Sequence, residues 1–221
     1  MRYNHTVQGK FIARPNRFIA KVELDGKEET VHVKNTGRLG ELLLPGADVV
    51  LQKADNPDRK TRYDLISVYK PHLGWVNIDS QVTNKIVFEW LKKQDFTYIK
   101  PEYAYGKSRI DFYMEKDGEK YLMEVKGCTL EREGKGWFPD AVSDRARKHN
   151  LELAGAVKQG FKCIIAFVIA MEGVTEVRPN IDKDPEYAQS FSYAQQNGVE
   201  VWHFACSVEP DTIDICSVSK D

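Results

Sequence analysis

No stretch of this chain approaches the roughly 18 consecutive apolar residues that a membrane-crossing helix requires. Its first residues, MRYNHTVQGKF, contain no apolar core of the kind a secretory leader needs, which argues against export and for the cytoplasm. Cysteine is scarce: Cys128, Cys163, Cys206 and Cys216 stand alone, with no C-x-x-C spacing. A zinc cage and a disulfide framework are both unsupported, and four reduced thiols fit a cytoplasmic protein. There are no repeats and no low-complexity segment. Charge of one sign is not in excess either, since 32 Lys and Arg meet 33 Asp and Glu for a net −1. The whole molecule therefore exerts no global pull on a polyanion. What is present is an ordinary globular composition, 42% hydrophobic and 29% charged, in a length that suits one large or two small domains.

Asp117-Gly118 lies between two β-rich runs, Ser108-Arg109-Ile110-Asp111-Phe112-Tyr113-Met114 and Tyr121-Leu122-Met123-Glu124-Val125-Lys126-Gly127. That dipeptide in that setting is a strong hairpin signal. With Asp117 and Gly118 as the loop, every cross-strand pair sums to the same value as Lys116 and Glu119. Asp111 then falls opposite Glu124, in the closer, non-hydrogen-bonded class of pair. Lys126 shares the face of Glu124, while Ile110, Phe112, Met114, Tyr121, Met123 and Val125 take the other. Two facing carboxylates destabilise a strand pair unless a cation lies between them. Hard oxygen ligands suit Mg²⁺ or Mn²⁺, and a neighbouring lysine can orient a water and offset charge in a phosphorane-like transition state. Asp, then Glu-x-Lys on the next strand, resembles the PD-(D/E)xK phosphodiesterases, although Ile110 replaces the proline. The plainer alternative is a solvated hairpin face that happens to carry those three residues.

The surrounding order supports the first reading. Asn84 to Gln94 has an apolar helical stripe of Ile86, Val87, Trp90 and Leu91. Glu89 lies off that stripe and offers a third carboxylate. After the hairpin, Ser143 or Asp140 can cap a helix ending near Gly160, with Ala146, Leu153, Ala154 and Val157 as its buried side. Arg145, Arg147, Lys148 and His149 crowd its first half, where cations oppose the helix dipole but suit phosphates. Of these, Arg145, Lys148 and His149 are taken as nucleic-acid contacts. Phe161 to Ala170 reads as a buried strand, Asp184 to Asn197 as a further helix, and Val199 to Val208 and Thr212 to Cys216 as closing strands. His203, among apolar neighbours, reads as a core histidine.

The first third is different. Residues 1–70 carry 13 basic against 9 acidic side chains, leaving 19 against 24 in the remainder. Strand signals over Phe18 to Leu24, Thr30 to Val33, Ala47 to Gln52 and Leu65 to Tyr69, with turns at Asp25-Gly26 and Pro45-Gly46, indicate a small barrel of the OB type. Such barrels bind nucleic acid through basic loops and aromatic platforms. The candidates here are Arg14, Arg17, Arg38, Arg59, Lys60 and Arg62. The expected organisation is an OB-like β-barrel over residues 1–75 and a restriction-endonuclease-like mixed α/β domain over 76–221, α+β overall.

Asn35-Thr36-Gly37-Arg38, Glu41-Leu42-Leu43-Leu44-Pro45-Gly46-Ala47, Lys60-Thr61-Arg62-Tyr63-Asp64-Leu65, Tyr105-Gly106-Lys107-Ser108-Arg109-Ile110-Asp111, Glu124-Val125-Lys126-Gly127 and Phe138-Pro139-Asp140-Ala141-Val142 occur in this order. Together they resemble the sugar fermentation stimulation protein A family over nearly the full chain. The resemblance implies a cytoplasmic bacterial or archaeal DNA-binding protein linked to sugar (maltose) metabolism, built from an OB-like and a nuclease-like domain. It does not by itself imply hydrolysis. Two readings follow: a DNA-binding Mg²⁺- or Mn²⁺-dependent phosphodiesterase with Asp111 and Glu124 on the metal and Lys126 on water, and a regulatory DNA-binding protein whose nuclease-type fold is inert.

Overall fold

The computed structural model describes all 221 residues. Its first unit is a barrel made by β1 (Thr6–Asn16), β2 (Ile19–Leu24), β3 (Lys27–Val33), β4 (Asp48–Lys53) and β5 (Tyr63–Lys70), with β6 (Gly74–Asn77) added at one edge. Strand order is β3-β2-β1-β4-β5-β6, and a parallel β3–β5 pairing closes the ring. Asp25 and Gly26 both take positive φ, 51° and 73°, as a tight hairpin between right-twisted strands requires. β1 was not legible as a strand because Gly9 and Pro15 interrupt its alternation. Gly9 is needed where β1 crosses β2, since a Cβ there would come within 2.7 Å of the Glu23 carbonyl oxygen and the Val22 side chain.

The second unit follows as α1 (Val82–Leu91), β7 (Tyr98–Tyr105), β8 (Ser108–Lys116), β9 (Glu119–Cys128), β10 (Glu131–Arg132), β11 (Lys135–Phe138), α2 (Asp144–Val157), β12 (Lys162–Ile169), β13 (Val177–Pro179), α3 (Pro185–Gln196), β14 (Glu200–Glu209) and β15 (Thr212–Lys220). The main sheet is mixed, in the order β15-β14-β12-β9-β8-β7, with β9, β12 and β14 parallel at its centre. β12 is apolar from Cys163 to Ile169 because both faces are covered, by α2 and α3 on one side and α1 on the other. β7 had no alternating signal; Pro101, which cannot donate to a ladder, is tolerated there because β7 is an edge strand. A small sheet, β10-β11-β13, crosses the segment that leads into α2.

The two units share their cores. One hydrophobic cluster runs from Val22, Val33 and Leu51 in the barrel to Leu153, Phe167 and Phe191 in the second unit. The other joins Val50 and Ile66 to α1 and to Phe112 and Met123. The chain start belongs with the far end of the sheet, since Tyr3 N–H donates to the Asp211 carbonyl. No helix is long and apolar enough to cross a membrane.

Asp64, buried in the barrel wall on β5, anchors two cations and a histidine. Arg59 grips it with both guanidinium nitrogens at 2.7 and 3.0 Å, Lys34 lies at 3.3 Å and His32 at 3.0 Å. Burial alone would raise the Asp64 carboxyl; Arg59, Lys34 and His32 outweigh it and hold it below the usual range. A depressed carboxylate adds stability that is complete above its unfolded pKa of about 4 and fades as pH falls through its folded value. Asp64→Asn should therefore lose about 2 kcal/mol at neutral pH, and the deficit should shrink by pH 2.5. Denaturant unfolding at the two pH values checks this.

Candidate functional site

The β8–β9 hairpin sets the geometry. Asp117 and Gly118 occupy the turn with φ of 53° and 80°, and the ladder runs from Lys116↔Glu119 to Phe112↔Met123 in the anticipated register. It stops one pair short of Asp111 and Glu124. At that point the Asp111 carboxylate accepts the Val125 N–H at 2.8 Å, replacing a backbone partner with a side chain. Its other oxygen accepts from Asn84 Nδ2 of α1 at 2.8 Å. The strand faces part there as well. Phe112, Met114, Met123 and Val125 enter the core under α1, but Ile110 joins the cluster under α2, contrary to simple alternation.

Glu124 is 2% exposed and Lys126 9%. Lys126 Nζ donates to Glu124 Oε1 at 2.7 Å, and the same oxygen accepts from Nδ1 of His149. The acceptor fixes the His149 tautomer with its proton on Nδ1. Glu124 Oε2 is buried with no hydrogen-bond partner. Burial raises the Asp111 carboxyl and the nearby Glu124 charge raises it further, against the hydrogen bonds from Val125 and Asn84. Burial would raise Glu124 too, but Lys126 and His149 reverse that and leave it low. The arrangement is thus an ionised Glu124, a carboxyl beside it that resists ionising, and one buried oxygen with nothing to bind. A divalent cation fits that donor set: hard oxygens, two carboxylates, and an orphaned acceptor whose desolvation is otherwise uncompensated.

Three anticipated roles need correction. Glu89 is not brought to this pair: Asn84 is the α1 residue that reaches Asp111, Glu89 sits well round the helix from it, and no cluster of three or more His, Cys, Asp or Glu side chains is grouped to hold a metal. His149 is not on a phosphate-facing surface; it is 3% exposed and committed to Glu124. Its spacing from Ala146 and Leu153 on the buried stripe was the signal that could have placed it. Arg59 and Arg62 do not form a free basic loop, because Arg59 is held by Asp64 and Arg62 pairs with Glu29. Lys60 between them is exposed and without an ion-pair partner. Arg145 is likewise exposed and unpaired, whereas Lys148 lies 3.5 Å from Glu152. His203 is a satisfied core residue: Nδ1 accepts the Val177 N–H and Nε2 meets Asp221.

Between the two units lies a cleft of about 890 Å³. Its lining includes Gly127 and Cys128, the last residues of β9, and Ala170, the residue after β12, at the carboxyl ends of these parallel strands, where open α/β sheets place ligands. Arg14, Arg17 and Arg38 line it from the barrel. Arg14 is a fourth correction: expected on nucleic acid, it is a structural clamp, donating to the carbonyls of Arg17, Asn35, Gly37 and Arg38 at 2.6–2.8 Å. It shapes the Asn35–Arg38 loop, which is latched to the second unit when Arg38 N–H donates to Asp140. The α2 cap is Ser143, whose side chain accepts from Ala146 N–H, and Asp140 serves that latch instead.

Residues 81–212 match the family model described as the sugar fermentation stimulation protein RE domain, and residues 12–78 match the SfsA N-terminal OB domain. A sugar fermentation stimulation protein homolog of Clostridium beijerinckii is 49% identical over 219 residues, covering 97% of this chain and 96% of its own. One from Desulfitobacterium hafniense is 47% identical over 217 residues, covering 97% and 95%. The solved structure of Pyrococcus furiosus SfsA in complex with Ca²⁺ is 26% identical with a TM-score of 0.86, covering 100% of this chain and 95% of that one.

Proposed function

This chain belongs to the sugar fermentation stimulation protein family, and we propose that it is a cytoplasmic DNA-binding protein with a Mg²⁺- or Mn²⁺-dependent phosphodiesterase site at Asp111, Glu124 and Lys126. The observation that carries the reading is the buried, unpartnered Oε2 of Glu124 beside a carboxyl whose ionisation is opposed. The Ca²⁺ bound by the Pyrococcus furiosus relative supports a divalent ion in this fold. Asp111 and Glu124 would hold the cation. When bound, it supplies Lewis-acid stabilisation of the phosphoryl oxygens and a more acidic water.

The chain's own residues have separate tasks. Asn84 and the Val125 N–H fix the Asp111 carboxylate in place. His149 and Lys126 hold Oε1 of Glu124 and so leave Oε2 for the ion. Lys126 spends one of its three N–H donors on Glu124. The remaining two can orient the attacking water and offset charge on the pentavalent phosphorus. Exposed cations around the cleft, Arg17 and Arg38 among them, supply a sequence-independent grip on phosphates. Purified protein incubated with plasmid and with single-stranded DNA, with and without Mn²⁺, tests the reading. Metal-dependent cleavage lost in Asp111→Asn is the expected result. Binding without cleavage under every metal condition would leave the inert, regulatory alternative.

A further inference from the structure

We propose that the interdomain cleft is a groove for single-stranded DNA, with Trp137 as a base-stacking platform and Arg17, Arg38 and Lys183 on the phosphates. The inference rests on the DNA-binding reading above and adds the form of the substrate.

The first argument is size. At about 890 Å³ the cleft has the capacity of a drug-sized ligand pocket. A few nucleotides of one strand fit such a volume. A duplex, one turn of which spans about 34 Å, is too large to enter it. The second argument is chemistry. Trp137 is half-buried in the lining and, unlike Phe138 beside it, which packs on Phe167 and Tyr187, belongs to neither hydrophobic core. Aromatic faces beside cations are how proteins bind single strands without reading sequence.

Charge in the cleft has been sorted by the fold. Asp79 is buried and neutralised by Lys34 at 3.1 Å, and the Asp140 carboxylate is occupied by the Arg38 N–H. Arg14 is spent on backbone carbonyls. Arg17, Arg38 and Lys183 have no ion-pair partner, and Asp182 is the one exposed acid among the lining residues to set against them. The third argument is position. Gly127 and Thr83 form the floor, one residue beyond Lys126 and one before Asn84. A Cβ on Gly127 would lie 3.1 Å from the Thr83 side chain, so the two elements meet there with no bulk to spare. A strand lying on that floor passes beside both halves of the candidate site, the Glu124–Lys126 side and the Asn84–Asp111 side.

The test is fluorescence anisotropy in EDTA, which separates binding from any cleavage, using labelled oligo(dT) and a blunt duplex of equal length. Oligo(dT) should bind at least tenfold more tightly than the duplex. Trp137→Leu, which keeps bulk but loses the π-face, should weaken oligo(dT) binding about tenfold, and Trp137→Phe should restore most of it. Arg17→Ala with Arg38→Ala should flatten the salt dependence by about 1.4 in log K against log salt, at roughly 0.7 per phosphate for single strands. Equal or tighter duplex binding, or oligo(dT) affinity unmoved by Trp137→Leu and by the double arginine variant, overturns the groove. Silence in the Mn²⁺ cleavage assay with these binding results intact removes the phosphodiesterase reading alone. Duplex cleavage unaffected by the cleft variants removes the groove alone.

Discussion

Millimolar Mn²⁺ or Mg²⁺ should raise the melting temperature of the wild-type protein, and Asp111→Asn should abolish the rise. Anything that binds the folded state alone stabilises it by mass action. At a tenfold excess over the dissociation constant that is about 1.4 kcal/mol. For a chain of this size the shift is about 3–6 °C. The ion relieves a cost visible in the structure: burial and the charge of Glu124 both oppose ionisation of Asp111, and Glu124 Oε2 has no partner. Without metal, Asp111→Asn should be at least as stable as the wild type. Its amide oxygen can still accept the Val125 N–H, its NH₂ can meet a flipped Asn84 amide, and the opposed charge is gone. Glu124→Gln should also lose the rise, yet start from lower stability, because Lys126 and His149 lose a carboxylate. Both should cut Mn²⁺-dependent cleavage by at least about 10²-fold. Differential scanning fluorimetry across a cation titration, paired with the plasmid assay, reads all of this. A wild type whose melting ignores both cations would sink the metal site.

The parts of this site that were legible in the sequence are those set by local rules. Asp117-Gly118 admits one tight turn, the turn fixes the register, and the register brings Asp111 towards Glu124 with no knowledge of the rest of the fold. The same holds for the Asp25-Gly26 hairpin and the apolar β12, while the cap of α2 was narrowed only to Ser143 or Asp140. What failed depends on partners distant in sequence. The opening of the ladder at Asp111 needs a side chain from α1 and a backbone N–H freed on β9. Arg59-Lys60-Thr61-Arg62 reads as a basic loop until Asp64 folds back on Arg59 and Glu29 arrives on Arg62. His149 was grouped with its charged neighbours, although three residues from Ala146 and four from Leu153 is core spacing. The cleft exists only because the barrel and the mixed sheet share cores, and no local pattern in either half announces a surface made by both.

Lys126→Met should cost about 3 kcal/mol of stability, and adding Glu124→Gln should return most of it. Lys126 and Glu124 form a nearly buried ion pair 2.7 Å apart, and removing one member of such a pair leaves an uncompensated charge. His149 can keep its bond to Glu124, so the loss falls at the lower end of the usual range of about 3–5 kcal/mol. That is a fall of about 6–12 °C in melting temperature. The double variant buries no charge, its glutamine oxygen still accepts from His149, and methionine fills the lysine stem's volume. Its stability should lie within about 1 kcal/mol of the wild type, since uncharged replacements of a buried pair are often neutral. If so, the pair contributes little to the fold that neutral side chains could not, and its cost is explained by chemistry. The activity assays must then agree. Lys126→Met should keep the cation-induced rise in melting temperature, because Asp111 and Oε2 of Glu124 remain, but should lose phosphodiester cleavage. The double variant should lose both. Full stability in Lys126→Met, or cleavage that survives it, would take the lysine out of the site and leave Asp111 and Glu124 as a cation-binding pair without a partner for water.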